Sequence, residues 1–169
     1  KVKVEGRRIH FGRLYAEDYE FGVRIAGTTN RIDKFRGDLF GGDLTGDASF
    51  FLDPVTFTNT GYEVLLLVKN AGGRRMLKTI SGGVDHDYGG RLTGFVRVSG
   101  PTEQDVLNTM HGSGRVSIDR GRVFALPLFG GFSRIMRKIL PGLDFVLRQN
   151  DATAEFTIGG GKLHSDEIH

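Results

Sequence analysis

The chain has no cysteine, no tryptophan and four prolines in 169 residues. Without cysteine there is no disulfide scaffold, no thiolate metal site and no cysteine nucleophile. No run reaches the roughly 20 apolar residues that a membrane-crossing helix needs. A coherent block of one charge is missing too. The 23 basic and 20 acidic residues, for a formal charge of +3, are interleaved, as in RIDKFRGD (31–38) and SIDRGR (117–122). Such mixing argues against a nucleic-acid partner, because a phosphate tract is bound by a continuous positive stripe. The chain starts at Lys1 without an initiator Met or a signal peptide, and its tail, KLHSDEIH, stops in what reads as a strand. A fragment of a longer protein, extended at both ends, is the expectation.

What the sequence has in excess is glycine, 26 residues, together with 13 phenylalanines. Glycine supplies the positive backbone angles of tight turns, so the balance favours many short strands. Two alternating stretches lie between Ile9 and Ala26, with Phe21, Val23 and Ile25 set against Glu20, Gly22 and Arg24. That period of two fits strands with one buried face. Gly41-Gly42 reads as a turn, Val55 and Phe57 as part of a strand, and the run Val64–Val68 as a strand covered on both faces. Met76, Leu77 and Ile80 have helical spacing between two Gly-Gly pairs, which predicts one or two helical turns. Residues 84–100 read as a hairpin around Tyr88-Gly89-Gly90, with Leu92, Val96 and Val98 inward. Further strands follow near Val116 and Ile118, Leu143 to Leu147, Ala154 to Ile158, and after the glycines at 159–161. Roughly nine or ten strands result.

One segment departs from this pattern. Pro127 suits a first helical position, and Pro141-Gly142 ends the helix about three and a half turns later. Leu128, Phe129, Phe132, Ile135, Met136, Ile139 and Leu140 fall on one apolar stripe, with Arg134, Arg137 and Lys138 on the opposite side. The stripe packs on a sheet, covers an acyl-binding groove, or docks on a membrane with its cations toward anionic headgroups.

Motifs for chemistry are weak. HGSG (111–114) lacks the third glycine of a dinucleotide loop, and Gly161-Lys162 is followed by Leu163 rather than Ser or Thr. Turn glycines account for both. In Asp85-His86-Asp87 a strand would send the carboxylates to one face and the imidazole to the other, so no metal site is expected. The Asp residues of Gly42-Asp43 and Gly46-Asp47 read as turn residues. No nucleophile or carboxylate pair can be named, so no catalytic group and no cofactor are assigned, and an enzyme or carbohydrate-binding domain is disfavoured.

The order of these pieces, GGDLTGDASF, YEVLLLVKN, GGRRMLKTI, YGGRLTGFVRVSG, the segment from Met110 to Leu140, and ATAEFTIGGGKLHSDEI, resembles the C-terminal region of AsmA-like proteins, related to TamB of diderm bacteria. The resemblance covers residues 37–169, while residues 1–36 fit only as more strand. It implies a single mainly β domain, a curved antiparallel sheet forming a taco-like groove with one amphipathic helix and a short second one. It also implies a membrane-anchored periplasmic protein that binds phospholipid or another acyl lipid and moves it between the inner and outer membranes. On this reading the apolar stripe from Leu128 to Leu140 binds lipid, and Arg134, Arg137 and Lys138 meet headgroups. Other envelope proteins are further partners, and the alternative is a scaffold that assembles outer-membrane or secreted proteins by strand pairing. The anchor helix of such proteins is not in this sequence.

Overall fold

The structure is a computed structural model describing residues 1–11, 14–80, 82–83, 90–102, 105–119 and 152–168. The described residues form one nine-stranded antiparallel sheet with two short helices. In chain order these are β1 (Val2–Phe11), β2 (Leu14–Ala26), β3 (Thr29–Asp38), β4 (Asp43–Leu52), β5 (Asn59–Gly72), α1 (Gly73–Ile80), β6 (Arg91–Pro101), α2 (Val106–Thr109), β7 (His111–Asp119), β8 (Ala152–Gly159) and β9 (Lys162–Ile168). Strand order in space is strand order in sequence, so the sheet is a meander. Among the described residues it is open, with β1 and β9 as its outermost strands.

The turns follow local chemistry. Asp38 Oδ1 accepts from Gly41 N at 2.8 Å, and Gly41 has φ 78°, which glycine adopts without Cβ strain. Gly160 and Gly161, with φ 57° and 69°, turn β8 into β9. α1 ends in a Schellman arrangement in which Gly83 N donates to Lys78 O at 2.8 Å, as its flanking glycines predict.

Several expectations are corrected. Val55 and Phe57 are not in a strand: Asp53 Oδ1 accepts from Val55 N at 2.8 Å and Thr56 N at 2.7 Å, so those donors are used locally. Both side chains are exposed. Gly46, Gly112 and Gly114 are not turn residues but lie inside β4 and β7. Asp47 is inside β4 and accepts from Lys34 N across the sheet at 3.1 Å. The run Val64–Val68 is half-buried at every position, on both faces alike, rather than fully buried. α2, four residues long, had no signal in the hydrophobic pattern. Tyr88-Gly89 and the strand proposed before it, the strand proposed at Leu143–Leu147, and the whole segment from Pro127 to Pro141 lie outside the described residues.

The buried core sits at one end of the sheet. Ala16, Phe35, Leu39, Phe40 and Leu44 cluster there, joined by partly buried Ile9, Leu14, Tyr15 and Met76 of α1. Phe40 is 2 % exposed and meets Tyr15 edge-on at 5.3 Å. Gly72 N donates to Phe40 O at 3.0 Å, tying the β3–β4 turn to the start of α1. Burying a Phe of this kind is worth about 2–3 kcal/mol.

Candidate functional site: one apolar face across nine strands

In an antiparallel ladder, directly opposed residues share a face. Following the registers across the sheet gives Val2, Val23, Ile32, Ala48, Val64, Val98, Gly112, Ile158 and Leu163, one residue from each strand. Every member is apolar or glycine. A second row on the same face runs Phe35, Gly46, Leu66, Val96, Gly114, Phe156. Between β4 and β8 the opposite face carries Asp47, Leu65, Arg97, Ser113 and Thr157. Along these rows one side of the sheet is apolar, with Asn30, between Ile25 and Phe50, a polar exception on it, whereas the opposite side is mixed, Leu65, Leu67 and Phe95 lying among Asp47, Arg97, Ser113 and Thr157.

Three bulges keep the apolar side intact. Asp18, Lys34 and Asn70 adopt left-handed backbone, with φ 46°, 56° and 56°. Each lies one residue before the second member of an apolar pair three apart: Ala16 and Tyr19, Ile32 and Phe35, Val68 and Ala71. The last two pairs coincide with register shifts in the ladders. A strict period of two would turn the second member to the polar face, and the extra residue returns it. At the first bulge, a Cβ added at Gly37 would lie 3.3 Å from Ala16 Cβ and 3.4 Å from Tyr19 Cβ, so both side chains reach the same side. Tyr19, Phe21 and Phe35 stack there, with ring centroids 5.9 to 6.3 Å apart. The sequence signal was present in AEDY, IDKF and VKNA, each an apolar pair separated by two polar residues.

The face is unevenly covered. Near β2 to β4 it is filled by the core and α1, whereas from β5 to β9 Val64, Leu66, Val68, Val96, Val98, Val116, Phe156 and Ile158 are each half-buried. Glycines of this face sit where the neighbouring strand comes close. A Cβ at Gly94 would be 2.5 Å from Arg115 O, and one at Gly46 would be 2.8 Å from Leu66 Cδ2. Tyr62 borders the face beside Gly100. Among the described residues its buried hydroxyl has no hydrogen-bond partner, and burial pushes the phenol above its ordinary range.

The opposite face is held by ion pairs. Lys3 meets Glu5 at 2.9 Å and Glu20 at 3.0 Å, which raises the Lys3 amine and lowers the Glu20 carboxyl. Asp33 lies between Arg31 at 2.8 Å and Arg24 at 3.2 Å. Arg8 pairs with Glu17 at 2.5 Å and lies over the Tyr15 ring. Pairs exposed on both sides, such as Lys3 with Glu5, are worth about 0–1 kcal/mol each, whereas Asp33 is buried between its arginines.

The sequence-predicted site residues Leu128, Phe129, Phe132, Ile135, Met136, Ile139 and Leu140, with Arg134, Arg137 and Lys138, lie outside the described residues, as do Asp85, His86 and Asp87. Among the described residues no three His, Asp or Glu side chains converge as metal ligands. No helix there is long and apolar enough to cross a membrane. No family model, curated protein or solved structure matches the chain.

Proposed function

We propose that this chain is a lipid-binding β-groove module of an AsmA-like envelope protein, taking part in phospholipid movement between the inner and outer membranes. The observation that carries the reading is the apolar row from Val2 to Leu163. At about 4.8 Å per strand step it is ~38 Å long, longer than an extended acyl chain. Moving a ~16-carbon chain through water opposes transfer by about 12 kcal/mol, at about 0.8 kcal/mol per CH₂. A row of Val, Ile, Leu and Ala removes most of that cost without any reactive group. Interior glycines whose Cβ would strike the next strand favour a sheet bent toward this side, because side chains of adjacent strands converge on a concave face. The stripe from Leu128 to Leu140 is the segment proposed to meet the acyl chains, and Arg134, Arg137 and Lys138 the headgroups.

The test is mass spectrometry of organic extracts from natively purified protein. Phospholipid is expected with the wild type and is expected to disappear in Val98→Asp and Leu66→Asp variants that retain the β spectrum. A folded wild type without lipid, or folded variants that keep it, refutes the apolar face as the site. The pair Phe132→Asp and Ile135→Asp asks whether the stripe takes part, since retained lipid would leave the sheet alone as the binding surface.

The open edges of β1 and β9 favour a second reading, a scaffold that pairs with strands of client proteins. That reading expects capture of unfolded barrel strands and little lipid.

A further inference from the structure

Two phenylalanines share a left-handed backbone, Phe40 with φ 55° and Phe57 with φ 54°. A bulky side chain is strained there, where glycine is at ease. Phe40 is 2 % exposed, and its burial in the core offsets the strain. Phe57 is 67 % exposed and Val55, two residues before it, 83 %. Burial within the chain does not offset the strain at Phe57, so the ring is held out at a cost that an external contact would relieve.

The loop that carries both residues satisfies its own polar groups. Asp53 Oδ1 accepts from Val55 N, Thr56 N and the Thr56 hydroxyl, Phe57 N donates to Asp53 O at 2.9 Å, and Asp53 N donates to Thr58 O at 2.9 Å. Residues 50–62 contain one charged side chain, that of Asp53, and no lysine or arginine. A segment can leave water for a hydrocarbon layer when its backbone is satisfied internally and its exposed side chains are apolar or neutral.

The loop stands at the end of the sheet opposite the core, where the other described turns, 27–28 and 160–161, are two residues long. It adjoins the connection from β6 to β7, since Thr102 N donates to Thr60 O at 3.2 Å and the Thr102 hydroxyl to Asn59 O. That connection carries α2, whose Val106 and Leu107 are 39 % and 44 % exposed. The apolar face begins directly below the loop, where opposed Phe50 and Tyr62 lead to Ala48 and Val64. This continuity favours a bilayer over a protein pocket as the occupant.

We propose that the 53–58 loop, with α2 beside it, is a membrane-docking tip, Val55 and Phe57 entering the acyl layer of a bilayer so that lipid passes between that layer and the apolar face. The passage rests on the lipid-binding reading of that face, whereas the docking does not.

The chain has no tryptophan, so Phe57→Trp is a single reporter. Phosphatidylcholine vesicles are expected to shift its emission to shorter wavelength and brominated phosphatidylcholine to quench it, equally at low and high salt because no cation of the loop takes part. Phe95→Trp, 43 % exposed in mid-strand on the opposite face, is expected to show neither effect. Phe57→Gly relieves the backbone strain and is expected to melt higher than wild type yet bind vesicles more weakly. Val55→Asp/Phe57→Asp with an unchanged circular dichroism spectrum is expected to lower vesicle binding by about tenfold or more while keeping copurified phospholipid. Unshifted Phe57→Trp emission overturns the proposal, and so does a double variant that binds vesicles undiminished. Equal shifts at 57 and 95 also overturn it, because the sheet would then lie flat on the bilayer. A wild type that binds vesicles through this loop but carries no lipid supports the docking and refutes the apolar face as the lipid site.

Discussion

Phe156 of β8 lies across Gly114 of β7. A Cβ at 114 would enter the edge of the Phe156 ring and come within 2.6 Å of Phe95 O. The two residues are directly opposed in the ladder, and Gly114 is buried. The aromatic ring fills the space that the missing side chain leaves.

Gly114→Ala therefore forces either the ring or the β6 backbone to move. The expected destabilisation is about 1–3 kcal/mol, the range of an overpacked core. Urea unfolding followed by circular dichroism reads it, and Gly114→Ala with Phe156→Leu should recover part of the loss.

Phe40→Ala should cost about 3–5 kcal/mol, because the ring is 2 % exposed and lies among Tyr15, Ala16, Leu39 and Leu44. The turn itself survives through Asp38, so loss of α1 packing is the expected lesion. Faster amide exchange in 73–80 than in β6 would show it.

Lys34 is exposed with φ 56°. A left-handed non-glycine residue carries roughly 1–2 kcal/mol of strain, partly offset by the extra chain entropy of glycine. Lys34→Gly is expected to stabilise by about 0.5–1 kcal/mol, and Lys34→Val to destabilise, since a β-branched residue fits this conformation worst. Thermal melts of the two variants should move in opposite directions.

Asp53 titrates below its ordinary value of 3.8 because Thr56 N and Val55 N donate to its carboxylate. A lowered folded value means the contribution is complete above the unfolded pKa and is lost as pH falls through the lowered one. The stability difference between wild type and Asp53→Ala should therefore shrink as pH falls below the ordinary value of 3.8. A difference independent of pH would contradict the assignment.

Tyr62 gives the opposite sign. Burial raises its phenol above 10.0, so its contribution is present below that value and is lost as pH rises through the raised one. Tyr62→Phe removes a buried hydroxyl that has no hydrogen-bond partner among the described residues, and is expected to be neutral or to gain up to about 1 kcal/mol at pH 7. It should also be less sensitive to alkali, as melts at pH 7 and pH 11 would reveal.

Much of the strand content could be read from alternation, because burying one face of a sheet imposes a period of two on each strand separately. α1 was legible for a similar reason: Met76 and the flanking Gly-Gly pairs act within a few residues. Val55 and Phe57 misled because their alternation matched a strand while Asp53, two and four residues before them, captured the backbone donors. The glycines at 46, 94, 112 and 114 carried no recognisable signal. A mid-strand glycine and a turn glycine look alike until the opposing strand is known.

Thus the alternating pattern, the glycine turns and the lack of thiols were determined by the sequence alone, since each depends on contacts within a few residues. Which residues meet across nine strands was decided only by the tertiary structure. So were the uses of the bulges at Asp18, Lys34 and Asn70, which restore the apolar side. Register is a property of pairs of strands, and no single strand encodes its neighbour's position.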